Sequence, residues 1–194
     1  MKILIYNIKG GQGKTSLALN LALTLDYGVI TNELYSPIET VLPENSFVKI
    51  DKSEKLPPVE NDWDIIYDFG GYLDLRVIDA LEMCDCVIVP VVNEFLDVHT
   101  TVNFIHELKE YNPNIIIVAN KTEKGDFDNI CKIMKIHHPQ HPVLEIKKSR
   151  ALPNILNEKI SIRDMVKQGG LKKYNYSSIN DQFTALIKEI KQHG

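Results

Sequence analysis

Three stretches of this chain, Ile65-Ile66-Tyr67-Asp68, Val87-Ile88-Val89-Pro90-Val91-Val92 and Ile115-Ile116-Ile117-Val118-Ala119-Asn120, are almost unbroken runs of apolar, largely β-branched residues. A strand with one face in water alternates apolar and polar positions, whereas an unalternating run suits a strand covered on both faces, as in a parallel sheet between helices. Runs of this kind, some shorter, are read at 3–7, 29–33, 63–68, 86–92, 115–120 and 143–146, and helix-like stretches at 15–25, 73–83, 98–111, 127–136, 162–168 and 179–191. This alternation predicts an α/β fold: a doubly wound, mostly parallel sheet with helices on both faces. Residues 35–61 resist assignment. They hold Pro37, Pro43, Pro57 and Pro58 and read as loop with one short strand near 47–50.

At 194 residues and 44% hydrophobic content the chain is long enough for one core and short for two, so a single domain over 1–194 is expected. It opens directly on a strand, with neither a signal-peptide apolar region nor an 18-residue apolar run, and a cytoplasmic protein is expected. Cys84, Cys86 and Cys131 are odd in number and lack C-x-x-C spacing, which argues for buried thiols rather than a disulfide or thiolate metal site. Net charge is −4, split as −9 over residues 1–100 and +5 over 101–194.

The segment Lys9-Gly10-Gly11-Gln12-Gly13-Lys14-Thr15 lies between the first strand and the first helix. Glycines there let successive backbone N–H groups turn inward around a polyphosphate, and the helix N-terminus adds partial positive charge. In that setting Lys14 reaches the β- and γ-phosphates and the Thr15 hydroxyl binds Mg²⁺. The general pattern G-x-x-x-x-G-K-[ST] is incomplete, since Ile8 stands where its first glycine would be.

With Lys9 counted, KGGQGKT resembles the deviant Walker A loop of the ParA and MinD ATPases, whose additional lysine precedes the glycine pair. The resemblance implies ATP and Mg²⁺ as cofactors, with Gly10, Gly11, Gln12, Gly13, Lys14, Thr15 and Ser16 around the phosphates. It implies that Lys9 crosses an ATP-bound homodimer interface. Asp68, closing an apolar strand before Gly70 and Gly71, matches the family's Walker B acid holding Mg²⁺, with Gly70 or Gly71 offering an N–H to the γ-phosphate. Asn120, ending the strand 115–120, matches an Asn that bonds the adenine edge. Leu96-Asp97 matches an "LD" stretch to which no chemistry is assigned. The departure is Thr31-Asn32-Glu33-Leu34-Tyr35, where the family has D-x-D-P-Q. Glu33 then takes the water-positioning place, one methylene too long, and such a misplacement costs ~100-fold in rate, so turnover that is slow without a partner is expected.

The implied function is an ATP hydrolase that forms an ATP-dependent sandwich dimer and binds DNA non-specifically. It would drive plasmid or chromosome partition with a centromere-binding adaptor, and be nucleoid-associated when ATP-bound. Lys147, Lys148, Arg150, Arg163, Lys167, Lys172 and Lys173 are the candidate DNA-contacting residues. Three alternatives use the same loop: a MinD-like positioning ATPase that binds membrane through its last helix, an ATP-dependent ligase of the dethiobiotin or cobyrinate type, and a nucleotide-binding switch without catalysis if Glu33 does not order water. The stripe Ile179, Phe183, Leu186, Ile187 and Ile190 lacks a dense basic face and suits packing against the sheet better than membrane binding. The histidines of His137-His138-Pro139-Gln140-His141-Pro142 read as loop, because the prolines forbid regular ligand spacing. Tyr174 and Tyr176 are too few to suggest a tyrosine cluster.

Overall fold

The computed structural model describes residues 1–51, 53–71 and 73–193. Among these residues seven strands, β1 (Lys2–Tyr6), β2 (Gly28–Thr31), β3 (Phe47–Lys49), β4 (Ile65–Phe69), β5 (Cys86–Val91), β6 (Ile115–Thr122) and β7 (Val143–Lys147), pair throughout in parallel in the order β3-β2-β4-β1-β5-β6-β7. The unalternating runs occupy β4, β5 and β6, whose residues are buried on both faces except Lys121.

Among the described residues seven α-helices divide between the faces: α1 (Lys14–Leu25), α2 (Leu75–Met83), α3 (Phe95–Leu108), α4 (Asp126–His137), α5 (Ala151–Glu158), α6 (Ile162–Lys167) and α7 (Gly170–Ile190). One core joins Ile3, Ile5, Ile88 and Ile116 to α1, α5, α6 and α7; the other joins Leu4, Tyr6, Val87 and Ile117 to α2, α3 and α4. Successive strand residues feed opposite cores, as the pleat requires.

Two helical regions exceed the sequence reading. Helix α5 is absent from the sequence reading; it carries Pro153 in its first turn, where no intrahelical N–H bond is lost. Helix α7 begins at Gly170 rather than near 179; none of its residues before Ile179 is buried, so no apolar period announces that part. The apolar stripe from Ile179 to Ile190 is buried in the core. No helix among the described residues is long and apolar enough to cross a membrane.

Between β2 and β3 the crossover holds no α-helix. It consists of two single 3-10 turns, Pro37–Thr40 and Glu44–Ser46, and Ile38, Val41 and Leu42 pack on the α1 side. After β3, Ile50, Leu56 and Val59 return across the opposite face. The expected short strand is β3, at the sheet edge. Cys84 and Cys86 are buried free thiols and Cys131 is half-buried.

Candidate functional site

Strand order reverses at β1, whose neighbours β4 and β5 run on to opposite flanks, so a crevice opens at the carboxyl ends of these strands. The glycine loop sits there, between the end of β1 and α1. Gly13 caps α1 with a left-handed φ of 84°, and a side chain at this position would also run into the Asn120 amide, so glycine is required twice over.

Every turn of the loop is tied down. Asn7 Nδ2 donates to Pro90 O (2.8 Å) and Thr101 Oγ1 (3.0 Å), while its Oδ1 accepts from Lys9 N (2.9 Å). Gln12 is buried; its Oε1 accepts from Val92 N (2.7 Å) and its Nε2 donates to Asp97 Oδ2 (2.5 Å) and Gly10 O (3.2 Å). From β6, Asn120 Nδ2 donates to Gln12 O (2.7 Å) and Lys121 Nζ to Gly11 O (2.8 Å). Lys121 reaches the loop because the β6–β7 register shifts between Asn120 and Thr122, leaving Lys121 at a left-handed φ of 55°.

The two loop lysines differ. Lys14 is buried, and its Nζ donates to Lys9 O (3.1 Å). Burial lowers its pKa, opposed by the carboxylates of Asp68 and Glu33. Lys9 Nζ lies 3.2 Å from Asp97 Oδ1 of its own chain, so the lysine that the resemblance sends across a dimer interface rests here on an intrachain acid that also holds Gln12.

Asp68, at 0% exposure, has both carboxylate oxygens buried without a hydrogen-bond partner among the described residues. Burial pushes its pKa up from 3.8 to about 6; the Thr15 hydroxyl and Lys14 pull the other way and Glu33 adds to the rise. Thr15 is near enough to act on the charge without reaching hydrogen-bonding geometry. Buried orphan carboxylate oxygens beside a hydroxyl are a hard-oxygen donor set suited to Mg²⁺, which takes one or two carboxylates with substrate phosphates rather than an all-protein cage. Among the described residues no group of three or more His, Cys, Asp or Glu could hold a metal. Asp68 and Thr15 would hold the ion, whose chemistry is to neutralise phosphate charge.

Glu33 stands over Gly70: a Cβ there would collide with its carboxylate and sit 3.4 Å from Lys14 Cε. Thr31 is buried and structural, its hydroxyl donating to Asp68 O (2.9 Å) and accepting from Glu33 N (3.1 Å). Asn32 makes a reciprocal pair with Gly70, Nδ2 to Gly70 O and Gly70 N to Oδ1, both 2.9 Å. The Gly70 N–H expected to face a γ-phosphate is therefore donated to Asn32 in this conformation. Tyr6 Oη donates to Gly71 O (3.1 Å).

Beside the loop, a groove of about 520 Å³ is lined by Ser16, Asn120, Lys121, Arg150, Leu152 and Pro153 among others. Asn120 Oδ1 is buried there without a partner among the described residues, and so could accept from an exocyclic amine. Asn32, Asp97 and Lys121 carry this geometry without having been given a role by sequence.

Five of the seven basic residues are engaged within the chain. Lys147 pairs with Glu145 (3.8 Å), Lys148 with Glu123 (2.6 Å), Lys167 with Asp164 (2.8 Å) and Lys172 with Glu158 (2.7 Å), while Arg163 donates to Thr24 O (3.3 Å). Arg150 and Lys173 have no such partner among the described residues. The histidine run packs instead: buried His138 bonds Val102 O through Nε2 (2.8 Å) and lies 4.5 Å, between ring centroids, from His106. Tyr174 is exposed, and Tyr176 Oη accepts from Asn154 Nδ2 (2.6 Å).

The parallel order, the reversal at β1 and the loop-to-helix junction after it define the fold of a P-loop NTPase. No protein-family model matches the chain, and no curated protein does. Solved structures do. A single-substitution variant of McdA from Cyanothece in complex with ATP is similar over 98% of this chain and 96% of its own, at TM-score 0.70 and 14% identity. MinD of Pyrococcus horikoshii complexed with Mg-ADP is similar over 96% of each chain, at TM-score 0.66 and 15% identity. A ParA family ATPase of Chlorobium tepidum is similar over 93% of this chain and 98% of its own, at TM-score 0.61 and 16% identity. The fold is that of the ParA and MinD ATPases.

Proposed function

We propose that this protein is an ATP- and Mg²⁺-dependent ATPase that works as a nucleotide switch of the ParA kind. The observation that carries the reading is the junction beneath the glycine loop, where buried Lys14 faces the unpartnered carboxylate of Asp68 and the carboxylate of Glu33. An ATP polyphosphate would take the loop N–H groups and Lys14, with Thr15 and Asp68 at the ion and adenine in the Asn120 groove. Glu33 would orient the attacking water. The bound forms of the McdA and MinD neighbours support nucleotide and Mg²⁺ as ligands.

In this reading ATP favours a sandwich homodimer. Lys9 leaves Asp97 for the partner's phosphates, the dimer binds DNA non-specifically at the nucleoid, and a centromere-binding adaptor stimulates hydrolysis. The burial of the α7 stripe from Ile179 to Ile190 supports DNA over membrane as the surface bound, because those apolar side chains are not available to insert. Arg150 and Lys173 are the cations readiest to meet phosphate, the others having first to leave their acids.

Anisotropy of random-sequence duplex DNA at one fixed salt concentration, with ATP and with ADP, tests this in wild type and Lys9→Ala. Binding with ATP alone, lost in Lys9→Ala, is expected. Absence of binding with either nucleotide would overturn the partition reading.

A second reading has one observation behind it. A groove of about 310 Å³ next to Thr15 and Glu33, walled by Leu19, Ile155 and Leu156, is placed to admit a small carboxylate acceptor, as an ATP-dependent ligase needs. Turnover that rises only with an added small carboxylic acid, and not with DNA, would favour it.

A further inference from the structure

The irregular stretch after β3 leaves a cavity of about 450 Å³ at the beginnings of β2, β3 and β4. Gly28 pairs with Ile65 and Val29 with Phe47 at these strand starts, so the cavity lies at the opposite end of the sheet from the glycine loop, which follows the end of β1. Its walls combine Val48 and Trp63, 46% and 51% exposed, with Pro57 and Pro58. Neither a proline ring nor an indole loses much rotamer freedom on being covered, which suits a preformed binding surface.

Among the described residues the charge on this cavity has one sign: Asp26, Asp62 and Asp64 line it and no lysine or arginine does. Asp64 already holds a cation, the Met1 ammonium. Asp26 and Asp62 are exposed, and their carboxylates have no ion-pair or hydrogen-bond partner among the described residues.

We propose that this cavity is a docking surface for a peptide segment of a partner protein that alternates apolar and arginine or lysine side chains. An apolar side chain enters between Trp63 and the Pro57-Pro58 pair, and a neighbouring cation meets Asp26 and Asp62, with the Trp63 ring available for cation–π contact. Nucleic acid is disfavoured by the same carboxylates. The site does not rest on the ATPase reading, since nothing lining it belongs to the nucleotide loop.

Trp63 is the only tryptophan of the chain, so its emission reports on the cavity directly. The test titrates the full chain with a six-residue synthetic peptide alternating leucine and arginine, and with its leucine–glutamate counterpart, at low salt. The expected result is a saturable change with the arginine peptide only, retained in Lys14→Ala and weakened ~10-fold in the Asp26→Asn/Asp62→Asn double variant. Both substitutions are at exposed positions, and a labelled peptide followed by anisotropy repeats the measurement in Trp63→Phe. No saturable change, an equal response to the glutamate peptide, or undiminished binding by the double variant would overturn the proposal. Self-association of the nucleotide-free protein that the double variant abolishes would overturn it in favour of a second copy as occupant.

Discussion

The two flanks of β1 are built differently. On the β5-β6-β7 side each crossover contains an α-helix, and this flank grips the glycine loop through Gln12, Asp97, Asn120 and Lys121. On the β4-β2-β3 side the β2–β3 crossover has only 3-10 turns, and this flank supplies the acids, Asp68 and Glu33, with the Asn32–Gly70 pair between them. Helical crossovers fix backbone positions by continuous hydrogen bonding and core burial, whereas turns leave a few side-chain bonds to decide where a carboxylate stands. One flank ties down the glycine loop by side-chain bonds, and the other carries the acids that face Lys14.

The largest effect should come from the irregular flank's buried acid. Asp68→Asn is expected to lower Mg²⁺-dependent ATP turnover at least ~100-fold, measured as phosphate release. The same change should stabilise the nucleotide-free protein. The folded pKa of Asp68, about 6, exceeds its ordinary 3.8, so its contribution is fully present below pH ~4 and is lost as pH rises through about 6. The loss is on the order of 3 kcal/mol. Urea unfolding of wild type and Asp68→Asn should diverge between pH 4 and 7; parallel curves would mean the carboxyl is not desolvated.

Next in size is Gly70→Ala, whose methyl group must displace the Glu33 carboxylate. Turnover should fall ~10- to 100-fold with nucleotide affinity little changed. Equal losses in both would show that the two flanks do not divide cradle from chemistry. On the helical flank, Asn120→Ala removes a buried bond to Gln12 O and should weaken binding of a fluorescent ATP analogue ~10-fold, for about 1–2 kcal/mol, while turnover at saturation stays near wild type. The smallest effect belongs to Asp97→Ala. The Lys9–Asp97 pair is partly exposed and such pairs are worth ~0–1 kcal/mol, so freeing Lys9 should strengthen ATP-dependent dimerisation by no more than ~5-fold in sedimentation velocity. Weaker dimerisation would mean that Asp97 supports the loop through Gln12 more than it restrains Lys9.

How legible each flank was follows from the same contrast. The central strands and the loop were readable because burial on both faces leaves unbroken apolar runs, and because a polyphosphate cradle needs glycines in a row before a helix. Glu33 was placed by resemblance, and it stands over Gly70 beside Lys14. The Asn32–Gly70 bond spans 38 positions and the Lys121–Gly11 bond 110, and neither has a local signal. Sequence lists cations without their partners; Glu123 meets Lys148 and Glu158 meets Lys172 only after folding.

Sequence alone determined that this chain forms parallel strands between helices and carries a phosphate-type loop after the first of them, since both are written in short-range pattern: unbroken burial, glycine spacing and a following helix. Tertiary structure alone decided that Lys9 rests on Asp97, that Asn32 takes the Gly70 N–H, and that the proline-rich stretch after β3 leaves an acid-rimmed cavity at the strand starts. Those outcomes depend on which distant strands become neighbours, and the sheet order that brings β2 beside β4 and β5 beside β1 is set by packing over the whole chain rather than by any segment of it.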